Sequence, residues 1–402
     1  MSLVIGGASG HPGSVLAVAT LALFVVSLGY GVIVPLLPEL AGGRGATDEG
    51  LLSAVYAGYA AAKIGCQVPG GVWVDRVGAE KVVRWALAAF TLSLAGFLLP
   101  VGLEAFTVVR AVEGAATGLV YPAVFAMAAR GPAEGAGKRM GLVAGVGTSG
   151  LLVGPALGGL LAPIDLDLPV LVALIVSAGL TLTLVFWRPA PPASSGAGAG
   201  AEVERPATAG EAFRELARLA RNVAFLALML PIAFNKLTFS AFQGLLPLVG
   251  PDAYDLGSRG VTLLFVLTGV VFALSQPVGG FLADRFRARS VALFFTPPLL
   301  AALVGMAFAS SATLFAVAYG SYIGASSIIF TATMKHAATA WGSDDTYGGV
   351  FGLLSTLTDT MTIVGPLLFI NLYAALGGGV FWAMAAVGLP FALAYALWGR
   401  RT

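Results

Sequence analysis

Five ionisable residues interrupt long apolar runs of this chain: Lys63, Arg110, Glu113, Lys236 and Asp359. If those runs cross a bilayer, each charge near the middle costs ~2.5–3.5 kcal/mol on insertion scales, so each is a candidate for proton or ligand chemistry. Lys63 stands twelve residues before Asp75, Asp359 twelve after Tyr347, and Lys236 fourteen after Asn222. At ~1.5 Å per helical residue they sit ~18, ~18 and ~21 Å from one end of their segments, close to the midplane. Arg110 and Glu113 are three apart, hence on one helical face and able to bond to each other. That spacing supports either a static pair that satisfies two buried charges or a proton site, because a carboxylate beside Arg stays ionised until the Arg withdraws.

The elements that must carry these residues are membrane helices. Of the 402 residues, 58% are hydrophobic and 10% charged, with a mean hydropathy of +0.90, whereas soluble domains carry ~25% charge. The 54 glycines suit helices that associate through small residues in lipid. Windows of ~20 apolar residues, enough to cross ~30 Å of hydrocarbon, give twelve segments, the first at 14–37 and the last at 376–398. The first is too long for a signal-peptide core and has no basic stretch before it, so it is expected to be retained.

Lys and Arg set the orientation. With the N-terminus cytoplasmic, the inner side holds Arg76, Lys81, Arg84, Arg130, Lys138, Arg139, Arg188, Arg205, Arg214, Arg218, Arg221, Arg285, Arg287, Arg289, Lys335, Arg400 and Arg401, while the outer side holds Arg44 and Arg259. The positive-inside rule then predicts a multi-pass plasma (inner) membrane protein with both termini cytoplasmic. A Pro/Gly/Ser/Ala tract begins at Pro189 and reads as a linker. The following Glu211 to Arg221 stretch puts Phe213, Leu216 and Ala220 on one helical face and Arg214, Arg218 and Arg221 on the other, a pattern suited to the inner leaflet surface. The expected organisation is a bundle over 1–188, a linker with an amphipathic helix over 189–221, and a second bundle over 222–402.

The two bundles are copies. Gly70-Gly71-Val72-Trp73-Val74-Asp75-Arg76 returns 209 positions later as Gly279-Gly280-Phe281-Leu282-Ala283-Asp284-Arg285. Val153-Gly154-Pro155 in segment 5 returns as Val364-Gly365-Pro366 in segment 11, 211 positions on. A parallel duplication of six helices is a pattern known among secondary transporters. Glycines before Asp75 let a neighbouring helix approach within backbone contact, so the carboxylate can meet helix N-terminal dipoles or Arg there. Gly71, Asp75 and Arg76, with Gly280, Asp284 and Arg285, therefore read as paired latches that gate conformation, and Gly154 and Pro155 as a tight, slightly kinked seam.

These motifs resemble those of the major facilitator superfamily, and within it the twelve-helix drug:proton antiporter group. The loop after segment 2 is similar to that family's Gly-x3-Asp-Arg-x-Gly motif as Gly71 to Gly78, departing at Ala79-Glu80 where the family has Arg or Lys. Arg110-Ala111-Val112-Glu113-Gly114 resembles Arg-x-x-Gln-Gly with Glu113 in place of Gln. Gly150 to Gly159 matches Gly-x3-Gly-Pro-x-x-Gly-Gly in full, a motif associated with antiporters.

The resemblance implies an all-α integral membrane protein with twelve transmembrane helices in two pseudo-symmetric six-helix bundles, and segments 1, 4, 7 and 10 lining a central cavity. It further implies that Lys63, Lys236 and Asp359 share a space. Asp359 is then expected to titrate, with Lys63 or Lys236 as partner and the ion pair made in one state and broken in another; a permanent salt bridge is the alternative. Arg110 and Glu113 join Asp359 as proton-coupling candidates. Tyr59, Tyr121, Phe239, Asn235 and Gln243, with Lys63 and Lys236, are the substrate-cavity candidates; these rings, with Tyr56, Tyr322, Phe234, Phe242 and Phe330, line an apolar pocket or serve ordinary packing, and the two amides orient a substrate or satisfy backbone groups.

The expected function is a proton-coupled antiporter, acting as a monomer in the lipid bilayer, that exports a small organic or drug-like molecule by alternating access. Three embedded cations against two carboxylates leave a competing reading open: an anionic metabolite, siderophore or lipid in a cationic cavity. A sensor or scaffold would not need five buried charges. No Walker lysine loop, metal-spaced Cys/His cluster or Ser/His/Asp arrangement occurs, so enzymatic chemistry, a cofactor, a metal and nucleic acid have no support. His336 reads as a surface histidine, His11 as part of the N-terminal tail, and Cys66, the one cysteine, has no disulfide partner in the chain.

Overall fold

The computed structural model of the chain describes residues 12–44, 49–187 and 208–398, and within them the regular structure is helical throughout. The elements are α1 (Pro12–Gly42), α2 (Glu49–Val77), α3 (Ala79–Phe97), α4 (Leu103–Ala129), α5 (Ala136–Thr148), α6 (Gly150–Leu161) and α7 (Leu168–Phe186). After the linker come α8 (Ala209–Leu219), α9 (Val223–Tyr254), α10 (Ser258–Arg285), α11 (Ala288–Ala307), α12 (Ala312–Trp341), α13 (Tyr347–Asp359), α14 (Met361–Leu376) and α15 (Val380–Trp398). With α5 and α6 taken as one bent helix, α13 and α14 as another, and α8 set aside, these are the twelve expected segments. The tract from 188 to 207, His11, Arg400 and Arg401 lie outside the described residues.

Nine helical stretches among the described residues are long and apolar enough to cross a membrane, the last of them running from Tyr347 to Leu397 across α13 to α15. The two that fall short by composition are α2 and α3. Lys63, Gln67 and a run of Ala and Gly dilute α2, and Glu80, Lys81 and Arg84 open α3. Both are nevertheless continuous helices of 29 and 19 residues.

The helical hydrogen bonding of the two long segments α5–α6 and α13–α14 is interrupted at equivalent places. The joints are Ser149 and Thr360, 211 positions apart, and at each the hydroxyl donates to the carbonyl three residues back, Val146 at 2.6 Å and Leu357 at 2.7 Å. Six residues beyond each joint stands a proline, Pro155 or Pro366. Proline has no N–H and its ring excludes the carbonyl four residues earlier, so the helix tightens and bends ahead of it. The interruption at Ser149 thus lies six residues ahead of the proline at which the sequence placed a kink.

Contacts divide the chain into two compact units, one of residues 1–130, 146–214 and 342–353, the other of 131–145, 215–341 and 354–402. Each takes most of one half of the sequence and one short segment of the other. In the first unit α2 packs on α4 and on the start of α13, and α1 on α6; in the second α10 packs on α12 and on the start of α5, and α9 on α14.

Candidate functional site

Each unit builds its seam from glycine. A Cβ on Gly71 would lie 2.2 Å from the carbonyl oxygen of Gly348, and one on Gly280 2.1 Å from that of Gly137. No side chain tolerates such a distance, so α2 meets α13, and α10 meets α5, backbone to backbone. That approach places a carboxylate over each helix start. Asp75 accepts hydrogen bonds from the N–H groups of Gly348 at 2.7 Å and Gly349 at 2.6 Å. Asp284 accepts them from Gly137 at 2.9 Å and Lys138 at 2.8 Å, and Lys335 adds an ion pair at 2.7 Å. These N–H groups are the orphan donors of a helix start, where the macrodipole also favours negative charge. Arg76 and Arg285 are exposed; in both copies the aspartate makes the contact. Gly154 and Pro155 press on Gly31 of α1, where a Cβ on Gly154 would meet backbone at 2.6 Å.

Within the first unit, α4 carries Arg110 and Glu113 fully buried and joined as an ion pair. Aromatic rings cover the guanidinium, its carbon 4.3 Å from the ring centre of Tyr59 on α2 and 5.6 Å from that of Tyr30 on α1. Such contacts are worth ~2 kcal/mol or more once desolvated, which offsets part of the cost of burying charge. Oε1 of Glu113 and Nε of Arg110 make no hydrogen bond within the protein. One turn along α2, Lys63 holds its ammonium 5.0 Å from the ring centre of Tyr121 on α4 and is half-buried. Tyr30 was absent from the sequence candidates, although it is the only tyrosine in segment 1.

Within the second unit, Lys236 on α9 reaches Asp359, the last residue of α13, at 2.8 Å. The Asp359 side chain is 2% exposed and that of Lys236 21%. Of the two partners the sequence offered for Asp359, Lys236 is the one joined to it in this unit; Lys63 belongs to the first. The two embedded pairs differ in kind. Arg110 and Glu113 share one helix and stay together however it moves, whereas Lys236 and Asp359 sit on different helices.

The remaining candidates fare unevenly. Asn235 is buried and donates to Ser326 Oγ at 2.5 Å. Phe239 is half-buried, its ring 5.4 Å from that of Phe272. Gln243 is exposed. Tyr322 and Phe242 take the packing role: both are fully buried, their rings 4.9 Å apart, and the Tyr322 hydroxyl bonds to Thr238 Oγ1 at 2.5 Å. Aromatic stacking and hydroxyl pairing outcompete exposure there. The cavity beside Phe234 and Asn235 has a volume of about 30 Å³, room for a water or two and far below a drug-sized pocket of ~300 Å³ or more. His336 is half-buried, with Nδ1 3.3 Å from the Tyr395 hydroxyl, so it is not the surface residue expected from its place beside Lys335.

Comparison with known proteins agrees with this construction. The family model for the Major Facilitator Superfamily matches residues 19–342. Multidrug resistance protein 2 of Bacillus subtilis is 23% identical over 365 residues, covering 89% of this chain and 86% of that protein. Quinolone resistance protein NorA of Staphylococcus aureus is 24% identical over 359 residues, with 86% of each chain covered. Among solved structures, the human organic anion transporter MFSD10 superposes with a TM-score of 0.76 at 20% identity, covering 96% of this chain and 99% of that one. The E. coli fucose:proton symporter FucP gives 0.74 at 14% identity, covering 95% and 98%. A duplicated six-helix module, glycine seams capped by Asp75 and Asp284, and the family match together identify the chain as a transporter that belongs to the Major Facilitator Superfamily.

Proposed function

We propose that this protein is a proton-coupled secondary transporter of the plasma membrane, with both termini cytoplasmic, that exports a small organic compound in exchange for protons. The observation that carries the reading is the Lys236 to Asp359 ion pair, its carboxylate buried and the pair shared between two helices, at a depth that helical rise along the sequence puts near mid-membrane. A carboxylate so placed is ionised while the ammonium faces it and takes a proton when the ammonium withdraws, so proton binding biases one arrangement over the other. Arg110 and Glu113 serve as a fixed charge pair that holds α4 against Tyr30 and Tyr59. The two sequence halves, 1–188 and 222–402, rock as bundles, with Asp75 and Asp284 closing their seams on the cytoplasmic side. The names of the bacterial relatives, multidrug and quinolone resistance proteins, support a drug-like substrate.

The test uses everted membrane vesicles energised by a proton gradient, with norfloxacin and ethidium as probes and fluorescence reporting their uptake. Wild type accumulates at least one probe and releases protons as it does so; Asp359→Asn loses the coupling. Undiminished gradient-driven uptake by Asp359→Asn sinks the proton role. A second reading, export of organic anions, is favoured by the embedded charge count, in which Lys63, Arg110 and Lys236 face Glu113 and Asp359. It is tested in the same vesicles with an anionic dye such as fluorescein.

A further inference from the structure

The short helix α8 lies outside both the seams and the ion pairs, and its surface is built for a different partner. None of its residues is buried, and Phe213 is 42% exposed. At about 100° per residue, Phe213, Leu216, Ala217 and Leu219 of the helix, with Ala220 just beyond it, fall within an arc of about 160°. Arg221, Arg214 and Arg218 follow one edge of that arc, about 40°, 60° and 100° beyond it, and Glu211 and Glu215 complete the polar side. Three arginines against two glutamates leave that side net cationic, with the arginines gathered on one flank.

The helix is preformed and held at a fixed level. Thr208 and Glu211 make a reciprocal capping box, Glu211 N donating to Thr208 Oγ1 at 3.2 Å and Thr208 N to Glu211 Oε2 at 3.0 Å, which satisfies orphan donors without tertiary help. Three residues then join it to α9, itself long and apolar enough to cross the membrane. That turn is closed by Ala220 N to Leu216 O at 2.8 Å and Asn222 N to Leu219 O at 2.9 Å, and Asn222 Oδ1 caps α9 by accepting from Ala224 N at 2.9 Å. So α8 is tied within one turn of the point where α9 enters the bilayer.

We propose that α8 is an interfacial membrane anchor whose apolar face enters the acyl boundary of the inner leaflet while Arg214, Arg218 and Arg221 engage anionic phospholipid headgroups. The net cationic flank selects that partner over a zwitterionic surface, because a neutral bilayer gives the arginines nothing to neutralise. The proposal rests on the cytoplasmic placement given above. Each arginine strengthens docking roughly fivefold at low ionic strength, by the ~1 kcal/mol that a basic residue gains near an anionic leaflet.

The single native cysteine makes the test direct. In a Cys66→Ser background, nitroxide labels are placed by Phe213→Cys or by Glu215→Cys, and the full-length protein is reconstituted in nanodiscs of phosphatidylcholine alone or with phosphatidylglycerol. With phosphatidylglycerol the 213 label becomes more accessible to oxygen than to a nickel chelate, and the 215 label keeps the opposite ranking. Arg214→Gln, Arg218→Gln and Arg221→Gln together return the 213 label to its phosphatidylcholine behaviour. Nickel access at 213 in both lipids overturns the proposal, as does a 213 label shielded from both reagents, which would mean that α8 packs on the protein. Equal docking in both lipids, or docking unaffected by the arginine changes, overturns the anionic selectivity. Nanodiscs offer the same lipid on both faces, so failure there leaves the topology standing; topology is read separately by impermeant maleimide labelling of Phe213→Cys in intact cells.

Discussion

Lys335 Nζ lies 2.7 Å from Oδ1 of Asp284 and 2.8 Å from the carbonyl oxygen of Ala283, an ion pair that the other copy of the phrase lacks. The residue 209 positions before Lys335 is Ala126, and Asp75 is held by the N–H groups of Gly348 and Gly349 without a lysine. Two backbone bonds from a helix start hold the carboxylate at one seam, where burial pushes the Asp75 pKa up to about 7 against those bonds and Arg130, and the other seam adds a lysine. Lys335→Ala should consequently be tolerated, with transport reduced less than tenfold, because Asp284 keeps the arrangement on which Asp75 already relies. Asp75→Ala strands the donors of Gly348 and Gly349, and Asp284→Ala strands the donor of Gly137 and takes the carboxylate from Lys335, at ~1–3 kcal/mol per buried donor; both should reduce transport and detergent-solubilised thermal stability far more. A ranking in which Lys335→Ala is as damaging as Asp284→Ala would contradict this account.

The glycine seams make a sharper prediction from a single methyl group. Gly71→Ala and Gly280→Ala would each push a Cβ to within 2.2 Å or less of a carbonyl oxygen on the facing helix. The backbones must separate by about 1 Å to reach normal contact distance, which also lengthens the aspartate bonds beyond useful range. Transport should fall by at least tenfold in either variant. Gly65→Ala, on the same helix α2 with nothing within 4 Å of the added methyl, is the control and should leave transport unchanged.

How far the sequence was legible follows from the kind of signal each feature leaves. Twelve helices and their duplication rest on apolar length and a repeated phrase, both local properties. The seams were readable because Gly-Gly before Asp has one physical use in lipid, close approach followed by capping. The site was harder because the two copies have diverged where they carry charge. Counting 209 positions on, Arg110, Glu113 and Tyr59 correspond to Tyr319, Tyr322 and Thr268, and in the second unit Tyr319 bonds to Thr268 at 2.8 Å. A charged contact in one copy has become a hydroxyl pair in the other. Lys236 and Asp359 correspond likewise to Ser27 and Thr148, by offsets of 209 and 211. Periodicity places such residues on a helix but says nothing about which ring covers a guanidinium. That is why the sequence does not single out Tyr30, and why it leaves Tyr322 and Phe242 open between pocket and packing, the role in which they are found.

Those rings set the next expectation. Glu113→Leu leaves Arg110 buried with an uncompensated charge, a loss of ~3–5 kcal/mol for breaking a buried pair. Expression and thermal stability should drop sharply. Arg110→Met combined with Glu113→Leu removes both charges and should recover most of the folding, since apolar replacements of a buried pair are often neutral. Tyr59→Phe keeps the ring over the guanidinium and should behave as wild type, while Tyr59→Leu should not. Size-exclusion profiles and melting temperatures of the four variants decide the matter.

The interhelical pair gives the last prediction its direction. Exchanging the charges, Lys236→Asp with Asp359→Lys, preserves an ion pair between α9 and α13 but moves the carboxylate from the 2%-exposed position to the 21%-exposed one. If the pair is only a structural brace, the exchanged protein should fold and transport normally. If Asp359 carries the proton, the exchange should preserve folding yet uncouple uptake from the proton gradient, because the carboxylate no longer occupies its buried place on α13. Lys236→Ala breaks the pair without moving the carboxylate, so it should lower the melting temperature whichever role the pair has. Proton release lost in the exchanged protein while its melting temperature is kept, read on one vesicle preparation, separates a coupling carboxylate from a brace.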